Sequence, residues 1–151
     1  MLDDIDRRLL RQLQADPTLP MAELADRART TPARAARRIE RMEAEGVILG
    51  REAVIDWAAL GYAVQVSLRI TVEKTEGRAL DEIIAAARDI PEVTDIQTFL
   101  GRTDLRLAVI ARDMAHYETL YRERILSLPH LADIEALMTI KTLKDEGRLP
   151  I

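Results

Sequence analysis

The stretch TTPARAARRIERMEAEGVI, residues 30–48, decides the fold. Thr31 ahead of Pro32 is a helix start. A threonine hydroxyl accepts a first-turn N–H, and proline fits the first helical position, where its missing N–H costs nothing. Ala35, Ile39 and Met42 then recur at helical spacing and form one apolar stripe. Gly46 supplies a left-handed ending before Val47. The rest of the helix surface carries Arg34, Arg37, Arg38 and Arg41, opposed by Glu40. Arg34, Arg37 and Arg41 fall near one outward strip. The chain as a whole is mildly acidic, with a formal net charge of −4. A chain of that balance has a reason to gather arginines on one short helix.

Upstream, Asp3 or Asp4 can cap a first helix whose apolar face is Ile5, Leu9, Leu10 and Leu13. Asp16-Pro17 ends it, because the residue before proline is pushed out of the helical region. Asp3, Asp4 and Asp6 read as cap and first-turn acids favoured by the helix dipole rather than as metal ligands. A short second helix covers 21–28, with Met21, Leu24 and Ala25 inward. Downstream, 47–56 reads as two short strands, VIL and AVID, around a Gly50-Arg51 turn. Three helices with a tight second turn, then a hairpin, describe a winged helix-turn-helix, whose third helix enters the major groove of DNA. Arginine suits that place, since its planar fork meets guanine edges or phosphates at two points. Thr30 and Thr31 sit at a helix start, where hydroxyls and free N–H groups hold a phosphate. Arg29 in the turn and Arg51 in the wing add phosphate contacts. A charged stripe alone is usually a solvated face. Here its position, third in a helix-turn-helix and followed by a wing, carries the assignment to double-stranded DNA.

After a linker at 57–61 the periodicity changes. Val64, Val66, Leu68, Ile70 and Val72 alternate with polar residues, the period of a half-buried strand. A helix over 77–90 follows, then strands at 93–100 and 105–111 joined by Gly101-Arg102-Thr103-Asp104. Asp113 caps a helix running to about 128, and 131–141 is a last strand. The order βαββαβ places helices on one face of an antiparallel sheet, so the fold class is α+β. The expected domains are 1–56, the linker, and 62–151. Strands so rich in Val, Ile and Leu predict an uncovered second face with an apolar patch of about several hundred Å². Packing on a second copy would bury it, which predicts a homodimer or a higher even-numbered assembly.

The bulk numbers set limits. Residues 1–61 hold ten arginines, no lysine and eleven acids, so any nucleic-acid footprint is local. There is no cysteine and hence no thiol chemistry. No apolar run reaches the roughly 18–20 residues of a membrane span, and the amphipathic N-terminus is unlike a signal peptide, so a cytoplasmic location is expected with no membrane partner.

The sequence resembles the leucine-responsive/asparagine-regulatory (Lrp/AsnC, or feast/famine) family of transcription regulators. The matching stretches are LDDIDRRLLRQLQAD, ELA at 23–25, TPARAARRIERMEAEGVILG, LGYAVQVSL, LGRTD at 100–104 and LKDEGRLPI. The resemblance implies a DNA-binding head joined to a ligand-sensing domain, dimers through the sheets that often assemble into octamers, and an amino acid or related metabolite bound between subunits. The family's G-x-x-D turn falls on Gly101 and Asp104, with Arg102 and Thr103 between them. Glycine lets a backbone approach a ligand, and a carboxylate accepts from an α-ammonium group. Phe99 stands beside this turn. The chain departs from the family pattern in places. Arg29-Thr30-Thr31 replaces glycine-leucine-serine, so Arg29 is strained if the turn needs positive φ. Ala35 replaces a branched core residue. Leu100 and Ala136 replace two threonines near the effector site, so the effector is more apolar or larger, or there is none. No metal or cofactor is expected. A second reading is a tetrapyrrole (siroheme-type) decarboxylase of the same architecture, against which stand only two histidines, His116 and His130, both expected at the surface. A third, a ligand-binding module with no DNA role, is disfavoured by the charged head.

Overall fold

Asp3 opens the first helix with a reciprocal cap. Its Oδ1 accepts the N–H groups of Ile5 and Asp6, each at 2.9 Å, and the Asp6 carboxylate accepts the Asp3 N–H at 3.1 Å. In this computed structural model, which describes residues 1–74, 77–144 and 147–151, that helix is α1 (Asp4–Ala15). The following α2 (Met21–Arg27) and α3 (Pro32–Ala44) bury Leu24, Ala25, Ala35, Ile39 and Met42 against Leu9 of α1. Thr31 caps α3, its hydroxyl accepting from the Arg34 N–H at 3.4 Å. The turn ahead of it needs a left-handed residue, and Arg29 takes that conformation at φ 56°. Gly46 closes α3 at φ 70°. Its N–H donates to Glu43 at 3.1 Å, and the Val47 and Ile48 N–H groups both donate to the Met42 carbonyl, at 2.8 and 3.1 Å.

Two findings differ from the sequence reading of this region. The VIL and AVID segments form no paired hairpin. The N–H groups of Val47 and Ile48 are consumed in ending α3, and an isolated hairpin of this length is marginal in water. The segment runs on without strand pairing, with Leu49 and Val54 almost fully exposed. The second difference is at the other end of the chain. The protein divides into two compact units, Met1–Val54 with Lys144–Ile151, and Ile55–Leu143. The last residues, assigned from sequence to the sensing domain, therefore fold with the head. Leu149 and Ile151 line a mainly apolar groove with Leu2, Leu10, Leu13 and Ile48. The Gln14 side-chain amide bonds the Leu149 backbone in both directions, at 2.6 and 3.4 Å, and Arg11 Nε donates to the Ile151 carbonyl at 2.6 Å.

The second unit opens with a capped turn rather than a loose linker. Asp56 Oδ1 accepts from the N–H groups of Ala58 and Ala59, and Gly61 leaves the turn at φ 87°. Then follow β1 (Val64–Val72), α4 (Ala79–Arg88), β2 (Val93–Thr98), β3 (Leu105–Ala111), α5 (Met114–Leu120) prolonged by a π-helical turn (Tyr121–Ile125), and β4 (Leu131–Met138). The sheet order is β2-β3-β1-β4 with every pair antiparallel. Val66, Leu68, Ile70 and Val72 point to the helices and meet Ile83, Ala87, Leu120 and Ile125.

The same alternation overturns the expected apolar outer face. The side chains of β1 that face away from the helices are Gln65, Ser67, Arg69 and Thr71, and their β3 partners are Ile110, Ala108 and Arg106. On β4 the partners are Leu137, Glu135 and Asp133. The Val, Ile and Leu content that suggested a bare apolar sheet is spent almost entirely on the helix side. The outer face is mainly polar, with Ile110 and Leu137 as its large aliphatic members.

Candidate nucleic-acid interface and ligand site

Helix α3 presents its arginines on one concave surface. Arg34, Arg37, Arg38 and Arg41 together line an open hollow of about 480 Å³. The four are held differently. Arg34 and Arg37 are exposed, and neither enters an ion pair among the described residues. Arg38 and Arg41 reach back to α1. Arg38 Nη1 lies 2.7 Å from Asp3 Oδ2 and 2.8 Å from Asp6 Oδ1, and Arg41 Nη2 lies 2.6 Å from Asp6 Oδ2. Asp6 is fully buried. Burial pushes its carboxyl up, but Arg38, the Asp3 N–H and Arg41 outweigh that and hold it below the ordinary value. The Asp3 carboxyl is lowered to about 2 by the Asp6 N–H and Arg38, and the Arg38 guanidinium is raised in turn by Asp3 and Asp6. Sequence reasoning treated Asp3 and Asp6 as capping acids only. They also fix two of the four guanidiniums, a contact over more than 30 residues of chain that no local spacing announces.

The flanking candidates separate further. Arg29 is exposed in the turn before α3. Thr31 spends its hydroxyl on the cap. The Thr30 hydroxyl is buried, with no hydrogen-bond partner among the described residues, so it does not face outward to meet a phosphate as expected. Arg51 lies beyond α3 with its Nη2 3.9 Å from Glu43 Oε1.

In the second unit the β2–β3 turn borders a separate open cavity of about 380 Å³, lined by Phe99, Leu100, Gly101, Arg102, Thr103 and two sheet residues, Arg69 and Arg106. Four of the expected effector residues are thus gathered with Phe99. Two are not among the lining. Asp104 is buried beneath the turn, where Oδ2 accepts the Val72 N–H at 2.9 Å and Oδ1 pairs with Lys74 Nζ at 2.7 Å. Lys74 and the Val72 N–H hold its carboxyl below the usual range. Its oxygens serve to fasten the turn to β1. Ala136 sits on β4 opposite Leu68, whose side chain is on the helix side. Arg69 and Arg106 were missed. Their alternation within each strand marked them as outward, but only the strand register brings them together.

The two histidines lie apart in local contacts. His116 Nδ1 accepts the Arg112 N–H at 3.1 Å, and His130 Nε2 is 2.7 Å from Glu82 Oε2.

Comparison with known proteins agrees with this geometry. Residues 65–149 match the Lrp/AsnC ligand binding domain, and residues 2–48 match a winged helix-turn-helix DNA-binding domain. The chain is 30% identical to the proline dehydrogenase transcriptional activator of Rhodobacter capsulatus, covering 97% of this chain and 96% of that one. It is 28% identical to the DNA-binding transcriptional activator DecR of Escherichia coli K12, over 100% of this chain and 99% of the relative. A transcriptional regulator of Neisseria meningitidis, solved in complex with L-methionine, superposes with a TM-score of 0.93 at 25% identity, covering 99% of this chain and 97% of that one. The chain belongs to the Lrp/AsnC family of transcription regulators, with a helix-turn-helix DNA-binding head and that family's ligand-binding domain.

Proposed function

We propose that α3 enters the major groove, with Arg34 and Arg37 making the sequence-reading and phosphate contacts while Arg38 and Arg41, braced by Asp3 and Asp6, shape the surface that meets the backbone. The observation that carries this reading is the four-arginine hollow on a single helix face. Arg29 and Arg51 flank it as phosphate contacts. Gel-shift or anisotropy titration against a selected operator tests it. An Arg34→Ala/Arg37→Ala variant should lose about 1–3 kcal/mol for each base-reading side chain and show a shallower salt dependence. Unchanged affinity and salt slope in a folded double variant would remove α3 from the interface.

In the same reading the protein works as a homodimer or a larger even assembly, up to an octamer, and a small amino acid-like effector acts through the β2–β3 turn at Gly101. The exposed, strand-unpaired stretch carrying Leu49 and Val54 supports assembly, because such a segment is a template for pairing with another chain. Sedimentation velocity at micromolar concentration should find no stable monomer. The protein is read as a regulator rather than a catalyst, and no feature of the described residues favours the decarboxylase alternative.

A further inference from the structure

The cavity beside the β2–β3 turn is bordered by three arginines. Arg69, Arg102 and Arg106 line it, and no acidic side chain lines it among the described residues. Arg69 and Arg106 stand directly opposite each other on β1 and β3. The rung they share extends to Glu135 on β4 and Gln97 on β2, so one outward line of polar side chains crosses all four strands. Like charges placed directly opposite in an antiparallel pair destabilise a sheet. The chain offsets this only in part. Arg69 Nη1 lies 3.6 Å from Glu135 Oε2, and Arg106 Nη1 lies 3.6 Å from Asp95 Oδ2, both longer than a charge-assisted hydrogen bond. Arg106 is also oriented by neutral acceptors, donating from Nε to Ser67 Oγ and from Nη1 to Gln97 Oε1, each at 2.9 Å. Arg102 is exposed on the turn itself.

We infer that this cavity takes a small organic diacid, whose two carboxylates neutralise the facing Arg69 and Arg106 guanidiniums while Phe99 and Leu100 cover its carbon chain. The inference rests on reading the β2–β3 turn as the effector site, and it names the charge class of the ligand. Guanidinium and carboxylate match as planar two-point partners, so two facing arginines select two carboxylates over one. An α-ammonium group adds little, because Asp104, the carboxylate of this turn, is already engaged by the Val72 N–H and Lys74. A volume of about 380 Å³ is ample for a small metabolite.

Titration calorimetry of the full chain with glutarate, L-glutamate and L-glutamine tests the charge requirement, since the latter two differ by one carboxylate. At least one of the two acids should bind about tenfold or more tighter than L-glutamine, the worth of one well-made charged contact. Binding by glutarate alone identifies a plain diacid, and binding by L-glutamate alone an acidic amino acid. Either supports the inference. Arg106→Gln should remove that preference. Arg102→Gln, on the exposed turn, should fold as the parent does and weaken acid binding with it, which keeps the test open if Arg106→Gln is misfolded. If L-glutamine binds as tightly as both acids, and Gly101→Val abolishes that binding, the diacid inference is overturned and the effector site stands. If neither acid binds, the inference is likewise overturned. If in addition L-glutamine, L-leucine and L-methionine all leave DNA affinity and assembly unchanged, the effector reading falls too.

Discussion

Asp6 shows how much one side chain carries in this head. It is a fully buried carboxylate that accepts from the Asp3 N–H, Arg38 and Arg41 at once. Removing Arg38 leaves that charge short of a partner, so Arg38→Ala should destabilise the head by about 1–3 kcal/mol, whereas Arg37→Ala, at an exposed position, should stay within about 0.5 kcal/mol. Urea denaturation of the two variants separates a bracing arginine from an exposed one. The same carboxylates set an acid limit. Asp3 is lowered from 3.8 to about 2, and Asp6 is also lowered. A depressed carboxylate contributes stability that is complete above its unfolded value and is lost as pH falls through its folded value. The head should therefore weaken between about pH 4 and pH 2, with Asp6→Asn flattening the profile in that window, as thermal melts across pH would record. Arg29 lies at φ 56°, a left-handed conformation that glycine adopts without strain. Arg29→Gly should raise stability by about 0.5–1 kcal/mol on melting, while removing one of the proposed phosphate contacts. The cap at Asp3 or Asp4 and the conditional strain at Arg29 were legible in sequence because both depend on neighbours along the chain. The bracing of Arg38 and Arg41 was not, since it depends on how α3 crosses α1.

At the scale of elements, those with a full apolar period were read correctly. The stripe of α3 and the alternation of β1 each specify a face, and both faces are buried as expected. The errors lie where backbone hydrogen bonding, not side-chain pattern, decides. The residues after Gly46 look like strands, yet their first N–H groups complete the α3 ending. That ending is itself testable: Gly46→Ala forces an L side chain into φ 70° and should cost about 1 kcal/mol, read as a lower melting temperature. The sheet's outer face was misjudged for a related reason. Counting Val, Ile and Leu in a strand says how much apolar surface exists, and only the register says that most of it points one way. The β2–β3 turn was recognised from its motif, but the motif did not reveal that the Asp104 carboxylate is engaged by the Val72 N–H and Lys74. Asp104 thereby fastens the turn to β1, and the charged residues lining the cavity come from β1, β3 and the turn itself.

For the whole molecule, composition alone gave no hint of a basic surface, because acids and arginines nearly balance in the head. What mattered was segregation: acids at the start of α1 face arginines on one side of α3 while Arg34 and Arg37 are left outward. The grouping of Lys144 and of 147–151 with the head was equally invisible in the sequence, where they were assigned to the sensing domain. It carries a mechanical consequence. The chain crosses from head to sensing unit twice, between Val54 and Ile55 and again between Leu143 and Lys144, so in chain topology the sensing unit is an insertion within the DNA-binding unit. A domain hung on a single joint can swivel without informing its neighbour. One spliced in at two points has both of its ends tied to the same neighbour.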